Sequence, residues 1–306
     1  MKHIYDMVIL GGGPGGYTAA LYAARAGLDA VLVERLSVGG QMALTGSIDN
    51  YPGFPEGVDG FELGMRMQQQ AERFGAVTGY AQATKLDLRA EPKVITTDSG
   101  TLYARTVVVA LGAGPRKLEL PDEERLTGRG VHYCAHCDGA FYRDKVVALV
   151  GGGDSAVAEA LHLARMVKKV ILIHRRDTLR ATKLYHAQLM KLPNLEIRWN
   201  SAVAALEGAD RLETIRVKDL VSGAEEALAV DALFVSIGRK PTTALLEGQL
   251  ELDRGYIPAD ESTRTAIGGV YAVGDIRTKH LRQVITAAAD GANAVHAAQA
   301  YLAERA

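Results

Sequence analysis

Two stretches of this chain share one design, a short apolar run that breaks into glycines and continues as a helix. Met7-Val8-Ile9-Leu10 leads into Gly11-Gly12-Gly13-Pro14-Gly15-Gly16 and an alanine-rich segment ending at Ala26. Val146–Val150 leads into Gly151-Gly152-Gly153-Asp154-Ser155-Ala156 and a second helical segment reaching Met166. Another strand follows each, Ala30–Val33 ending in Glu34 and Val170–Ile173 ending in His174, so both copies keep the same distance from first glycine to strand end. Strand, glycine turn, helix and strand in that order predict an α/β protein with two Rossmann-like nucleotide-binding domains.

The glycines have separate tasks. Gly11 allows the tight turn, Gly13 lets the backbone approach a pyrophosphate, and Gly16 lets helix and strand pack. Gly151, Gly153 and Ala156 repeat the pattern, with Pro14, Gly15, Asp154 and Ser155 completing the two loops. Each helix start offers unpaired N–H groups and partial positive charge to phosphate. The copies part company at the end of the second strand. Glu34 suits ribose hydroxyls and repels a 2′-phosphate, which predicts FAD or NAD in the first site. His174-Arg175-Arg176, with Arg180 close behind, offers guanidinium forks to a 2′-phosphate and predicts NADPH in the second.

Between the fingerprints stands Cys134-Ala135-His136-Cys137-Asp138, and these two cysteines are the only ones in 306 residues. Two intervening residues let the thiols close and reopen a small disulfide and lower one thiol pKa. Asp138 is placed to give or take the proton that such exchange moves. A zinc knuckle uses the same spacing, with His132 and His136 as further ligands. Structural zinc, however, usually takes its ligands from two separated pairs, and no second Cys/His pair is present. Redox chemistry without a metal is the expectation.

Composition narrows the partners. Lys+Arg number 35 against 36 Asp+Glu, which gives no basic surface for nucleic acid. No apolar run approaches the ~20 residues of a membrane span, and the apolar start is too short for a signal peptide. Two cysteines in C-x-x-C form point to a reducing, cytoplasmic setting. The remaining segments supply turns and strands. Gly39-Gly40-Gln41 and Asn50-Tyr51-Pro52-Gly53 form a turn-rich loop able to line a ligand. Gly60–Phe74 reads as an amphipathic helix with Leu63, Met67 and Phe74 inward. Thr106–Val109 is a buried strand ending in small residues at Gly112, as a backbone passing a cofactor requires. The strand Gly269–Val273 ends in Gly274-Asp275, and a helix begins near Gln283.

GGGPGG, GGQ, CAHCDG, GGGDSA, HRRDTLR, AVGD and RQVITAAADG together make this chain similar to the low-molecular-weight, bacterial- and archaeal-type NADPH-dependent thioredoxin reductases. The resemblance spans essentially the whole sequence. It implies an FAD domain built from residues 1–115 and 244–306, with an NADPH domain, 116–243, inserted and carrying the C-x-x-C. It implies that Cys137 faces the flavin, Cys134 attacks a partner's disulfide and Asp138 donates the proton. On the FAD side it implies Gly40, Gln41, Asn50, Gly112, Gly274 and Asp275, with Arg282 and Gln283 near the isoalloxazine. On the NADPH side it adds Gly238 to the fingerprint and its arginines. A thioredoxin or thioredoxin-like partner and a homodimer belong to the same implication. One residue departs from the family: His136 stands where it usually has Thr, as in strongly oxidising periplasmic oxidoreductases. A ferredoxin- or flavodoxin-NADP reductase on this scaffold would lack the cysteines, and a flavin redox sensor would not turn over.

Overall fold

Burial on both faces is written into the first strand. In β1 (Ile4–Leu10), Met7 and Ile9 enter one apolar cluster while Val8 and Leu10 enter another, and all four are almost fully buried. Such two-sided burial is what a parallel sheet covered by helices demands. The computed structural model describes residues 2–36, 38–44 and 48–305. It divides into two units, Met1–Gly114 with Lys240–Ala306, and Pro115–Arg239.

In the first unit β1 is followed by α1 (Pro14–Arg25), β2 (Ala30–Glu34), α2 (Gly60–Arg73) and β3 (Val77–Tyr80). A hairpin-like pair, β4 (Ala83–Asp87) and β5 (Lys93–Thr97), leads to the long β6 (Gly100–Val109). The strands run in the order β3-β2-β1-β6-β5-β4. β1 lies between β2 and β6, parallel to both, so the chain's direction of travel reverses beside it. Ligands in open α/β sheets bind at such a reversal, beyond the carboxyl ends of the strands.

Asp59 caps α2 by accepting the Glu62 N–H at 2.9 Å, and Leu63 is buried. Phe74 is a correction to the expected inward stripe: it is 41% exposed. The helix ends at Arg73, and Phe74 caps it with Arg25 and Arg73 guanidinium groups over its ring at 5.6 and 5.1 Å.

After β7 (Ala113–Pro115) the second unit holds α3 (Glu123–Leu126), β8 (Val131–His132), α4 (Ala135–Asp138), β9 (Val146–Gly151), α5 (Asp154–Leu163), β10 (Lys169–Ile173), α6 (Lys183–Leu189) and β11 (Leu195–Arg198). Then come β12 (Ser201–Glu207), β13 (Thr214–Asp219), β14 (Glu225–Ala229) and β15 (Ala232–Ser236). A five-stranded parallel sheet runs β11-β10-β9-β15-β8, and β12-β13-β14 form an antiparallel meander. β9 repeats the role of β1, flanked in parallel by β10 and β15, with Val147 and Leu149 on one face and Ala148 and Val150 on the other. The chain re-enters the first unit through β16 (Arg239–Pro241), which pairs with β7. It ends with β17 (Val270–Ala272), parallel to the last residues of β6, and the twenty-residue α7 (Val284–Ala303). No described helix is long and apolar enough to cross a membrane.

Candidate active site

The loop after β1 is shaped by close backbone packing. Gly11 sits at φ +104°, and a Cβ there would press on the Ala110 carbonyl. A Cβ at Gly16 would collide with the Gly11 carbonyl oxygen, so α1 can approach only without one. Gly15 packs under Val273 and the Ala287 carbonyl, whereas around Gly13 there is open space. Pro14 occupies the first turn of α1 and gives up no needed donor there. Glu34 is braced on all sides. Its Oε2 accepts the Gly12 N–H at 2.6 Å, and its Oε1 accepts those of Arg35 and Leu36 at 2.8 and 3.1 Å.

Other first-unit residues gather around this loop. Gly39 N–H donates to the Gly12 carbonyl at 2.8 Å, and Gly40 lies against Gly13, at the start of a short 3-10 turn that holds exposed Gln41. Asn50 Nδ2 donates to Gln283 Oε1 at 3.0 Å, which ties the second loop to the start of α7. Gln283 caps α7 in a reciprocal box with Thr286. The Gly112 carbonyl accepts the Thr242 N–H at 3.0 Å. Arg282 lies over the Tyr256 ring at 4.3 Å, and its buried Nε has no hydrogen-bond partner among the described residues. Asp275 lies in the turn Gly274–Ile276, where Gly274 adopts φ +72°.

That turn rests on a buried charge cluster. Asp290, 2% exposed on α7, accepts from Gly274 N at 2.8 Å, Arg277 Nη2 at 2.7 Å and Lys279 Nζ at 2.7 Å. Asp290 lies in a small-residue segment of the sequence, but its two cationic partners are set only by the way α7 packs. An FAD pyrophosphate suits the open, glycine-lined start of α1, and the orphan Arg282 donor suits an acceptor on its flavin.

In the second unit the fingerprint loop is folded over by the arginine segment. Arg180 and Ala181 N–H donate to the Gly152 carbonyl at 2.7 and 3.2 Å, and Thr182 N–H donates to Asp154 Oδ1 at 2.8 Å. Gly153 caps α5 with open space around it, and Ser155 is exposed in the first turn. His174 turns inward beneath Gly152, where any Cβ would strike its ring, and its Nε2 bonds the Thr178 carbonyl at 3.0 Å. Burial holds this imidazole below its ordinary range. Arg175, Arg176 and Arg180 are all exposed. The Gly238 carbonyl accepts the Arg116 N–H at 3.0 Å. Sequence reasoning passed over Glu159 on α5. Its Oε2 is buried without a hydrogen-bond partner among the described residues, and burial pushes its carboxyl up to about 7 against the pull of Ser236 and Arg239. An exposed arginine set beside a glycine loop fits NADPH, and Glu159 offers an acceptor to an amide.

Cys134 and Cys137 are joined in a disulfide across a single helical turn, with Cα atoms 5.3 Å apart. The Cys137 and Asp138 N–H groups both donate to the Cys134 carbonyl, at 3.2 and 3.0 Å. His136 is exposed, yet its ring packs on His162 of α5 at 4.1 Å. Burial lowers the pKa of both imidazoles, and His136 further disfavours the positive form of His162. The segment before the disulfide is anchored by Glu123, 2% exposed, which accepts Leu118 and Glu119 N–H and the Tyr133 hydroxyl, each within 2.8 Å. Among the described residues no group of three or more His, Cys, Asp and Glu is placed to hold a metal.

The pyridine nucleotide-disulphide oxidoreductase family matches residues 5–291. A thioredoxin reductase of Treponema pallidum (strain Nichols) is 43% identical over 302 residues, 99% of this chain and 98% of the relative. Among solved structures, a thioredoxin reductase from Streptococcus pyogenes MGAS5005 superposes with TM-score 0.89 at 39% identity, covering 99% of this chain and 100% of the other. One from Giardia duodenalis gives TM-score 0.89 at 33% identity, with coverage of 99% and 100%.

Proposed function

Because this chain belongs to the pyridine nucleotide-disulphide oxidoreductase family, and within it to the thioredoxin reductases, we propose that it reduces a thioredoxin disulfide with electrons from NADPH, by way of FAD and the Cys134–Cys137 disulfide. The observation that carries this is the single-turn disulfide with Asp138 beside it, in a chain that bears two nucleotide fingerprints of opposite charge preference.

The unit made of Met1–Gly114 and Lys240–Ala306 is assigned to FAD, and Pro115–Arg239 to NADPH. Bound FAD supplies a ring that takes hydride from NADPH and releases an electron pair to a disulfide. Gly11, Gly13, Pro14, Gly15 and Gly16 would receive its pyrophosphate, Glu34 a ribose, and Gly40, Gln41, Asn50, Gly112, Gly274, Asp275, Arg282 and Gln283 the rest. Gly151, Gly153, Asp154, Ser155 and Gly238 would hold the NADPH backbone, with Arg175, Arg176 and Arg180 on the 2′-phosphate. His174 would act from below by supporting the loop.

Cys137 is assigned to the flavin side and Cys134 to the partner. With the disulfide opened to a dithiol, Cys134 thiolate attacks one partner sulfur, and the partner's S–S bond breaks as a mixed disulfide forms. Cys137 thiolate then attacks Cys134 Sγ, which restores the internal disulfide and frees the second partner thiolate. Asp138 supplies the proton that a departing thiolate needs. A homodimer and a cytoplasmic location form part of the same proposal, supported by the family and by the cysteine usage.

The test is NADPH oxidation by the purified FAD-loaded protein with thioredoxin, glutathione disulfide or cytochrome c as acceptor. Turnover with thioredoxin and little with the others is expected. Rapid cytochrome c reduction with thioredoxin inert would favour a ferredoxin-reductase-like activity, and no turnover with any acceptor would favour a sensor.

A further inference from the structure

Beside the disulfide stands a histidine to which the electron path above gives no task. His132 ends β8, is 8% exposed, and lies close before Cys134 in the chain. Its Nδ1 is 3.2 Å from Asp138 Oδ2, and its Nε2 is 2.7 Å from the Tyr142 hydroxyl. The ring also stacks on Phe234, its neighbour across the β8–β15 pair, with centroids 5.5 Å apart. Tyr142 closes edge-on at 5.3 Å. The imidazole therefore has one orientation.

Its proton positions follow from the same contacts. An ionised carboxylate only accepts, so Nδ1 carries the hydrogen and Nε2 of the neutral ring is an acceptor. Tyr142 must then donate to Nε2. It keeps the proton to do so, because burial and the Asp138 charge push its phenol above the ordinary range. Tyr142 thus selects the tautomer of His132, and His132 selects the rotation of Asp138 by engaging Oδ2. Oδ1 is left to carry the proton that sulfur receives, and a carboxyl protonated at Oδ1 still accepts at Oδ2.

We infer that His132 is the positioning residue for Asp138, holding its carboxyl group in the orientation that delivers a proton to the departing thiolate, with Tyr142 fixing the His132 tautomer. The inference rests on the disulfide-reductase reading above. As Cys134 thiolate forms its new S–S bond and the partner's S–S bond breaks, the departing thiolate takes the proton from Asp138 Oδ1. The carboxylate left behind is met at once by the Nδ1–H of His132, and water returns the proton before the next cycle. Positioning of this kind matters because proton transfer needs hydrogen-bond reach as well as a suitable pKa.

The experiment compares wild type, His132→Phe, His132→Asn and Tyr142→Phe as FAD-loaded proteins. Flavin reduction by NADPH is followed by absorbance, and disulfide reduction is followed across pH with both thioredoxin and a small aromatic disulfide. His132→Phe is expected to slow disulfide reduction roughly tenfold or more, the value of a hydrogen bond to a charged group, and to shift the pH profile. Its flavin reduction should match wild type. His132→Asn, which keeps a donor near the Nδ1 position, should recover much of the rate. Tyr142→Phe should shift the profile in the same sense by less. A His132→Phe protein with wild-type rate and profile overturns the inference, as does His132→Asn that is equally slow with an unshifted profile. Should His132→Phe fail to fold, an unshifted profile in Tyr142→Phe overturns it. Wild type inert to thioredoxin but active on the small disulfide would overturn the proposed partner alone, since the His132 effect is then read on the small acceptor.

Discussion

At the end of β2 the Glu34 carboxylate is held by three backbone N–H groups, whereas at the end of β10 His174 turns under its own loop and leaves the outer position to Arg175 and Arg176. The order of strand, glycine loop, helix and strand is the same in both copies, although Gly11 adopts φ +104° and Gly151 is not among the positive-φ glycines. Gly11 corresponds to Gly151, and the parallel flanking strands correspond too. On the proposed reading, one scaffold serves two nucleotides, and the charge at or just beyond the end of the second strand chooses between them. A second contrast lies in the helices. Where α1 buries Ala19 completely, the corresponding residue of α5 is Glu159, whose buried Oε2 has no hydrogen-bond partner among the described residues.

The sharpest break of this comparison removes the chemistry that lies between the two fingerprints in the sequence. Cys137→Ser is expected to abolish thioredoxin reduction while NADPH still reduces the flavin, since neither fingerprint contains a thiol. Normal thioredoxin turnover in that variant would take the disulfide out of the pathway.

The charge contrast itself is tested at the second site. Arg175→Ala and Arg176→Ala should each cost roughly 1.5–3 kcal/mol of NADPH binding, about 10- to 150-fold, and leave NADH binding little changed. Equilibrium binding of both nucleotides to each variant is the measurement. An undiminished NADPH preference in the double variant would move 2′-phosphate recognition to another part of the unit.

The helix contrast predicts a pH-dependent stability. Glu159 has its folded-state pKa raised from 4.5 to about 7, so its neutral form is the one the fold favours. Stability from this group is fully present below pH 4.5 and falls as pH rises through about 7, because the unfolded chain ionises first. Glu159→Gln should therefore leave stability unchanged in acid and raise it in mild alkali, by up to about 3 kcal/mol. Thermal melts at the two pH extremes without NADPH decide this. A variant equally stable or less stable than wild type in alkali would mean that the carboxylate is solvated there.

Much of this was legible in one dimension because it is local. Strand, glycine turn and helix are consecutive, so Gly11, Gly16, Gly151 and the charge contrast after β2 and β10 can be read from spacing alone. What lay beyond spacing is long-range. Asp290 is typed as a helical acid until α7 packs it against Arg277 and Lys279, and Glu159 looks like an ordinary amphipathic position until its oxygen is enclosed. His132 was open to reading as a zinc ligand because its true neighbours, Tyr142 and Phe234, come from a turn and from β15. Phe74 shows the opposite failure, where helical periodicity ran one residue beyond the helix that justified it.

The smallest expected effect concerns His136, the residue that departs from the family. A charged imidazole beside the cysteines would favour thiolate, stabilise the dithiol and raise the potential, about 30 mV for each 1.4 kcal/mol. The structure weakens that argument near neutrality. Burial holds the pKa of His136 below its ordinary 6.5, so the ring is mostly neutral at working pH. His162, stacked at 4.1 Å, contributes to that cover, and its own pKa is lowered by burial and by His136. His136→Thr should therefore shift the disulfide potential hardly at all near pH 8 and lower it by tens of millivolts only near pH 5, where an imidazole can charge. His162→Ala should enlarge the difference between His136 and Thr by removing the cover that keeps the ring neutral. Redox equilibration against a reference dithiol at the two pH values separates the cases. An equal shift at both would mean that His136 acts through contact rather than charge, and the stacked pair would then have no part in setting the potential.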